Sequence, residues 1–212
     1  MKNLFVSLVI VASLLLSSCS SASETNTQSN DSSSNAMVTK ESTTVATDDN
    51  SQKLLNPSEE YVISCLNNVG HVKKVEAATE DHDPNHNLHK QGGYTAAIYF
   101  TLIDIQIKND PDGILDAVAI VKGEEIPVIL DEGQSIDSPV DLGTDYGGQI
   151  EVYETVEEAQ KRDKYLSEFD GTMFASGSHR VLGSMIIRIS SNLQASDQYM
   201  LTDSIVEALE NG

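Results

Sequence analysis

The chain has 212 residues, with 13 Lys and Arg against 33 Asp and Glu and a net charge of −20. That length suits one ordinary domain, and the charge repels phosphate backbones and anionic bilayer surfaces, so it argues against a nucleic-acid partner and against membrane attachment through the protein surface. Aromatic residues are only 5% and Trp is absent, which disfavours the stacking platforms of sugar-binding and single-strand-binding proteins, and two distant Cys cannot build a disulfide framework.

The chain opens on a short positive stretch, Met1-Lys2-Asn3, followed by an apolar run from Leu4 to Leu16. A transmembrane helix needs about 20 residues, so this run has the length of a signal-peptide core. It ends in Leu16-Ser17-Ser18-Cys19, which resembles the lipobox of bacterial lipoproteins. The resemblance implies cleavage before Cys19, diacylation of the Cys19 thiol and Cys19 as the mature N-terminus. Two acyl chains anchor firmly where one is marginal. The alternative is an ordinary secretory signal with an incidental Cys.

Residues 1–18 are thus expected to be a lipoprotein signal peptide, 19–52 the lipidated Cys and a tether, and 53–212 an extracytoplasmic domain. Ser, Thr and Asn fill 18 of the 31 positions from Ser20 to Asn50, a composition that cannot bury a core. Such a chain spans roughly 30 Å and would hold a domain off the membrane. An O-glycosylated stalk is the other reading.

In the domain, Asn56-Pro57-Ser58-Glu59 predicts a helix start with Asn56 as N-cap. Val62, Cys65, Leu66 and Val69 follow at helical spacing and Gly70 ends the helix, so Cys65 reads as a buried small hydrophobe. Alternation over 75–79 predicts a strand with one wet face. Tyr94 to Ile105 predicts a strand covered on both faces. Ala117–Val121 and Ile126–Leu130 pair as a hairpin across residues 122–125, with Pro127 at a sheet edge. Gln149–Tyr153 is a strand, Thr155-Val156-Glu157-Glu158 a capping box, Val181 to Ile189 a strand, and Leu201, Ile205, Ala208 and Leu209 mark a last helix. The expected fold is α+β or α/β: a single domain, one mixed sheet packed by about three helices, with a C-terminal β-α-β-α unit whose strands run parallel.

Two constellations carry ligand-type chemistry. In residues 81–89, Asp81, Asp83, Asn85 and Asn87 fall at positions 1, 3, 5 and 7 of a calcium loop, but His86 stands where Gly is needed and Gly92 where Glu is needed. His82, His86 and His89 are three candidate zinc ligands interrupted by Pro84. The bland reading is a solvated Asx and Pro turn. The second constellation is Ser176-Gly177-Ser178-His179, where Ser and His adjacent on an extended segment point apart, unlike a catalytic pair. No nucleophile elbow, HExxH, P-loop or dinucleotide fingerprint occurs, so no catalytic residue is assigned.

At Asp83-Pro84-Asn85, Lys90-Gln91-Gly92-Gly93-Tyr94, Gly147 to Tyr153 and Ser176 to His179 the chain resembles extracytoplasmic lipoproteins of Gram-positive bacteria, a resemblance that brings no catalytic or binding residues with it. The expected function is a lipid-anchored cell-surface protein, held on the outer face of the cell membrane through Cys19, with a non-enzymatic binding or accessory role toward a ligand or protein partner of the envelope. The alternatives are an extracytoplasmic hydrolase and a surface protein that binds Ca²⁺ or Zn²⁺ through 81–89.

Overall fold

The computed structural model describes residues 52–173 and 175–212. The expected signal peptide, the expected lipidation site Cys19 and nearly all of the expected tether lie outside the described residues. Helix α1 (Glu59–Asn67) starts later than Asn56 suggests. Pro57 disfavours a helical residue before it, Asn56 takes φ 46, and Ser58 becomes the N-cap, its hydroxyl accepting from the Tyr61 N–H. Strand β1 (Val72–Ala77) follows, then a 3₁₀ turn (Glu80–His82), a long loop and β2 (Ala96–Leu102), all seven of whose residues are buried.

The apolar run from Tyr94 to Ile105 does not continue as one strand. It turns at Ile103-Asp104, where the Ile103 N–H donates to the His71 carbonyl, and Ile105 opens β3 (Ile105–Lys108) in a different sheet. Strands β4 (Ala117–Val121) and β5 (Glu124–Val128) form the expected hairpin, but around two residues. Lys122 and Gly123 both take positive φ, 53 and 85, the conformation that matches the twist of paired strands, so Glu124 and Glu125 join β5. Pro127 sits on that edge strand, where a missing N–H breaks no ladder.

A short helix α2 (Pro139–Leu142) leads to β6 (Gly147–Val152), α3 (Val156–Ser167), β7 (Ser178–Leu182), β8 (Met185–Ile189) and α4 (Ala195–Asn211). The Thr155–Glu158 capping box that opens α3 is present with both its bonds. The strand expected from Val181 to Ile189 is a hairpin. Gly183, at φ 57, approaches the Leu54 backbone so closely that an added Cβ would lie 2.1 Å from Leu54 O, and the chain reverses there.

The fold is α+β. The larger sheet has the order β1-β2-β6-β8-β7 and a second sheet the order β3-β4-β5, with every neighbouring pair antiparallel. The C-terminal unit is therefore a split one: β6 and β7 run parallel across α3, and β8 lies between them antiparallel to both. One face of the larger sheet packs Ile98, Phe100, Ile150, Ile187 and Ile189 against α1, α4 and the smaller sheet. The other packs Ala97, Tyr99 and Ile186 against Ala159 and Leu166 of α3 and against Leu88 and Tyr94 of the 83–94 loop.

Candidate functional site

The 81–89 segment is organised by one carboxylate. Asp83 is 1% exposed. Its Oδ1 accepts from the Asn85 N–H (3.2 Å) and the Tyr94 hydroxyl (2.5 Å), and its Oδ2 from the N–H groups of Asn87 (2.6 Å) and Leu88 (2.9 Å). Burial raises the Asp83 pKa, but Tyr94 and the three backbone donors outweigh it and hold the carboxyl below its ordinary value. The other candidate ligands disperse. Asn85 donates to the Tyr99 hydroxyl (3.2 Å), and Asn87 faces a hollow beside α3. Asp81, His82 and His86 border an open hollow opposite Asp131, Glu132 and Asp141. His89 turns the other way, its ring nitrogens 2.7 Å from Glu80 Oε1 and 2.9 Å from the Thr95 carbonyl. Among the described residues no group of three or more His, Cys, Asp or Glu is placed to hold a metal ion.

Strand register builds a polar row on the face beneath this loop. Glu76, Tyr99, Gln149, Arg188 and His179 are consecutive cross-strand partners over all five strands of the larger sheet. Two residues along β6, Glu151 is fully buried and accepts from Arg162 Nε and Nη2 (2.9 Å each), Arg188 Nη1 (2.9 Å) and the Tyr153 hydroxyl (2.7 Å). Burial pushes the Glu151 carboxyl up, and the two guanidinium groups together with Tyr153 more than reverse that, so it titrates below its ordinary value. A buried charge tolerated in this way needs every partner in place.

The Ser176–His179 segment does not assemble a nucleophile. His179 Nδ1 lies 2.7 Å from Asp163 Oδ1 and Nε2 lies 3.3 Å from both Asp170 oxygens, so both ring nitrogens face carboxylates, and among the described residues neither has a hydroxyl partner. Ser176 Oγ accepts from Arg188 Nη2 (3.1 Å). The Ser178 N–H donates to Gln198 Oε1 on α4 (2.8 Å). A His held between two acids with no Ser in reach lacks the geometry of general-base activation.

A cleft of about 400 Å³ opens where the smaller sheet meets α4. Its apolar wall comes from Leu102, Ile105, Val121, Leu193 and Leu201, all buried. At the mouth stand the Lys122–Asp197 ion pair and, 3.7 Å apart, His71 Nδ1 and Asp104 Oδ2. Met200 in the cleft is 63% exposed. An apolar hollow of this volume with a few polar groups at its mouth is the usual form of a binding site. The sequence gives little sign of it, because its residues come from four separate segments and most read as ordinary core. The exposed Met200, on the wet side of the last helix, is the one signal that periodicity carries.

No protein-family model matches this chain, and neither the curated proteins nor the solved structures contain a match.

Proposed function

We propose that this is a lipid-anchored extracytoplasmic binding protein whose folded domain engages an envelope partner by seating an apolar side chain in the cleft between β3–β4 and α4. The anchoring half of the reading rests on Leu16-Ser17-Ser18-Cys19 behind a short apolar core. The observation that carries the binding half is the cleft itself: a preformed apolar hollow with Met200 left exposed at its edge. Apolar anchors entering such pockets supply most of the energy of protein interfaces. The hydrolase reading needs a hydroxyl beside His179, and both imidazole nitrogens are committed to Asp163 and Asp170.

Two measurements test the two halves. Cys19→Ala should abolish labelling by radioactive palmitate and shift the chain from the membrane fraction to the medium; persistent labelling would exclude Cys19 as the anchor. For the cleft, Nile red serves as an apolar probe. Its fluorescence should rise with the native protein and fall with Met200→Glu, which does not lower the melting midpoint, since that side chain already faces solvent. Unchanged fluorescence in that variant would remove the cleft from consideration.

A further inference from the structure

We propose that the hollow between the 87–93 loop and α3 is a second binding site, one for a small ligand that carries an oxyanion, carboxylate or phosphate, beside a flat apolar body. It lies apart from the apolar cleft and does not depend on it. The hollow measures about 300 Å³ and is bordered by Gln91, Gly92, Tyr153, Lys161, Arg162 and Tyr165.

The argument begins with charge. In a chain of net charge −20 a cation has many acids to choose from, yet among the described residues Lys161 makes no ion pair or hydrogen bond. Arg162 on the same side of α3 is fixed in place. Its Nε and Nη2 donate to buried Glu151 at 2.9 Å each, and its guanidinium lies 5.5 Å over the Tyr165 ring. That leaves Nη1 as its one nitrogen with no protein acceptor among the described residues. Glu151 also takes Arg188 and the Tyr153 hydroxyl, so its single charge is shared among several donors. Glu158, the carboxylate bordering the hollow, is engaged in the capping box with Thr155. The hollow thus presents an immobilised guanidinium edge and a free ammonium, a combination that selects an oxyanion.

Size and shape narrow the ligand. A volume near the lower end for ligand pockets admits a small molecule and no folded segment. Tyr165 is half exposed, its ring held by the guanidinium of Arg162 over it and by an edge contact with Phe169 at 5.2 Å, and it offers an ordered aromatic border for the apolar body of a ligand. On the opposite side Gly92 has nothing within 4 Å of where a Cβ would be, so the loop leaves the entrance open. Gly93 is pinned, because a Cβ there would lie 1.9 Å from the Asn87 carbonyl oxygen. The two sides of the site are therefore preformed, which lowers the ordering cost of binding.

The test is calorimetric titration of the full chain with phenylacetate, phenyl phosphate and benzyl alcohol. Binding of either anion, or both, with none of benzyl alcohol, is the expected result, and which anion binds tighter distinguishes carboxylate from phosphate as the natural group. Lys161→Gln should weaken the anion about tenfold, the effect of one charge-assisted contact, and leave the melting midpoint unchanged. Lys164→Gln, one turn on and outside the hollow, should leave affinity as it was. Benzyl alcohol binding as well as the anions, equal affinity in Lys161→Gln, an equal loss in Lys164→Gln, or no binding of either anion would each overturn the proposal.

Discussion

Two loops of this protein are the same device in different surroundings. Asp83-Pro84-Asn85-His86-Asn87-Leu88 and Asp110-Pro111-Asp112-Gly113-Ile114-Leu115 share the Asp-Pro start and the Leu five residues on. In each, the Asp carboxylate accepts from the backbone N–H two, four and five residues ahead: Asn85, Asn87 and Leu88 at 3.2, 2.6 and 2.9 Å, and Asp112, Ile114 and Leu115 at 3.2, 2.7 and 2.8 Å. Each also has a carbonyl bond from the Asp to the N–H three residues on, His86 and Gly113, and each places that residue at positive φ, 53 and 65. Local sequence chemistry alone explains this much, since an Asp followed by Pro forms an Asx turn wherever it falls. What differs is the lid over it. Asp83 receives a fourth donor from Tyr94 and lies under the tyrosine layer of the sheet, whereas the Asp110 loop stands at the surface with Ile114 82% exposed. The same turn is a structural post in one place and a surface feature in the other.

The widest separation between the copies should appear on removing the carboxylate. Asp83→Ala leaves the N–H groups of Asn87 and Leu88 and the Tyr94 hydroxyl without their acceptor in a buried site, a loss of about 3 kcal/mol or more. Asp110→Ala exposes its donors to water and should cost only a small fraction of that. Urea unfolding of the two variants measures both, and equal losses would mean that the lid over Asp83 contributes nothing.

Acid should separate them next. Asp83 and Glu151 both titrate below their ordinary values in the folded protein. A depressed folded pKa stabilises the fold above the unfolded value, about 3.9 for Asp and 4.3 for Glu, and that stabilisation disappears as pH falls through the folded value. The melting midpoint should therefore be flat near neutrality and drop steeply below about pH 4. Asp83→Asn should flatten part of that drop. Asp110 is also lowered, chiefly by the Leu115 N–H, but it is open to solvent, so Asp110→Asn should change the acid limb little, and less still in high salt.

The paired loops also show how far sequence reading reaches. Turn chemistry, capping and period are local, and they predict the Thr155 capping box, the Lys122-Gly123 hairpin region and the last helix. Sheet membership is not local. The apolar stretch through Leu102, Ile103 and Ile105 reads as one strand, although two residues of turn send its end into a second sheet. Gly183 reads as one position in an alternating strand, although its close approach to Leu54 makes it the corner of a hairpin. Asp83 and Asp110 look equally solvated in sequence, because burial of the first depends on Tyr94 folding back over it. The oxygens and imidazoles of 81–89 suggest a shared ligand by their spacing, and the Asx turn points them to Tyr99, to solvent and to Glu80 instead. The cleft beside α4 is assembled from segments far apart, so no local pattern announces it.

Tyr94→Phe isolates the lid. It removes one hydroxyl donor from Asp83 Oδ1 and keeps the ring, so the expected loss is about 1–1.5 kcal/mol. Amide exchange should resolve the effect by residue. The Leu88 N–H, buried and bonded to Asp83, should exchange far more slowly than the Leu115 N–H bonded to Asp110, and Tyr94→Phe should narrow that gap from the Leu88 side only.

A smaller effect is expected at the shared left-handed position. Gly113 adopts φ 65 with open space around it, so Gly113→Ala meets backbone strain of about 1 kcal/mol and no collision. His86 holds the same conformation at φ 53 with a side chain attached. His86→Gly relieves that strain but adds freedom to the unfolded chain, and the two terms are of similar size. The surface loop should lose stability on gaining a side chain, while the buried loop stays within about 0.5 kcal/mol on losing one.

The smallest expected effect is that of metal ions, and it follows from the same comparison. For Ca²⁺ to use the 81–89 loop, Asp83 would have to release the Tyr94 hydroxyl and three backbone N–H groups, and Asn85 would have to leave Tyr99. A carboxylate already satisfied by four donors gains little from a cation that displaces them, since each abandoned donor is left buried and unpaired. Zn²⁺ meets a different obstacle, because His89 is held on the far side of the loop from His82 and His86 by Glu80 and the Thr95 carbonyl. The expected melting midpoint is the same in chelator, Ca²⁺ and Zn²⁺. A rise with Ca²⁺ that Asp83→Asn abolishes would show that the loop opens and rebuilds around the ion. A rise with Zn²⁺ that His89→Gln abolishes would show that His89 leaves Glu80 to join the other two. The Asp110 loop, which has no imidazole, is the internal control: a rise with Ca²⁺ that survives Asp83→Asn but not Asp110→Asn would move the ion to the surface copy of the turn.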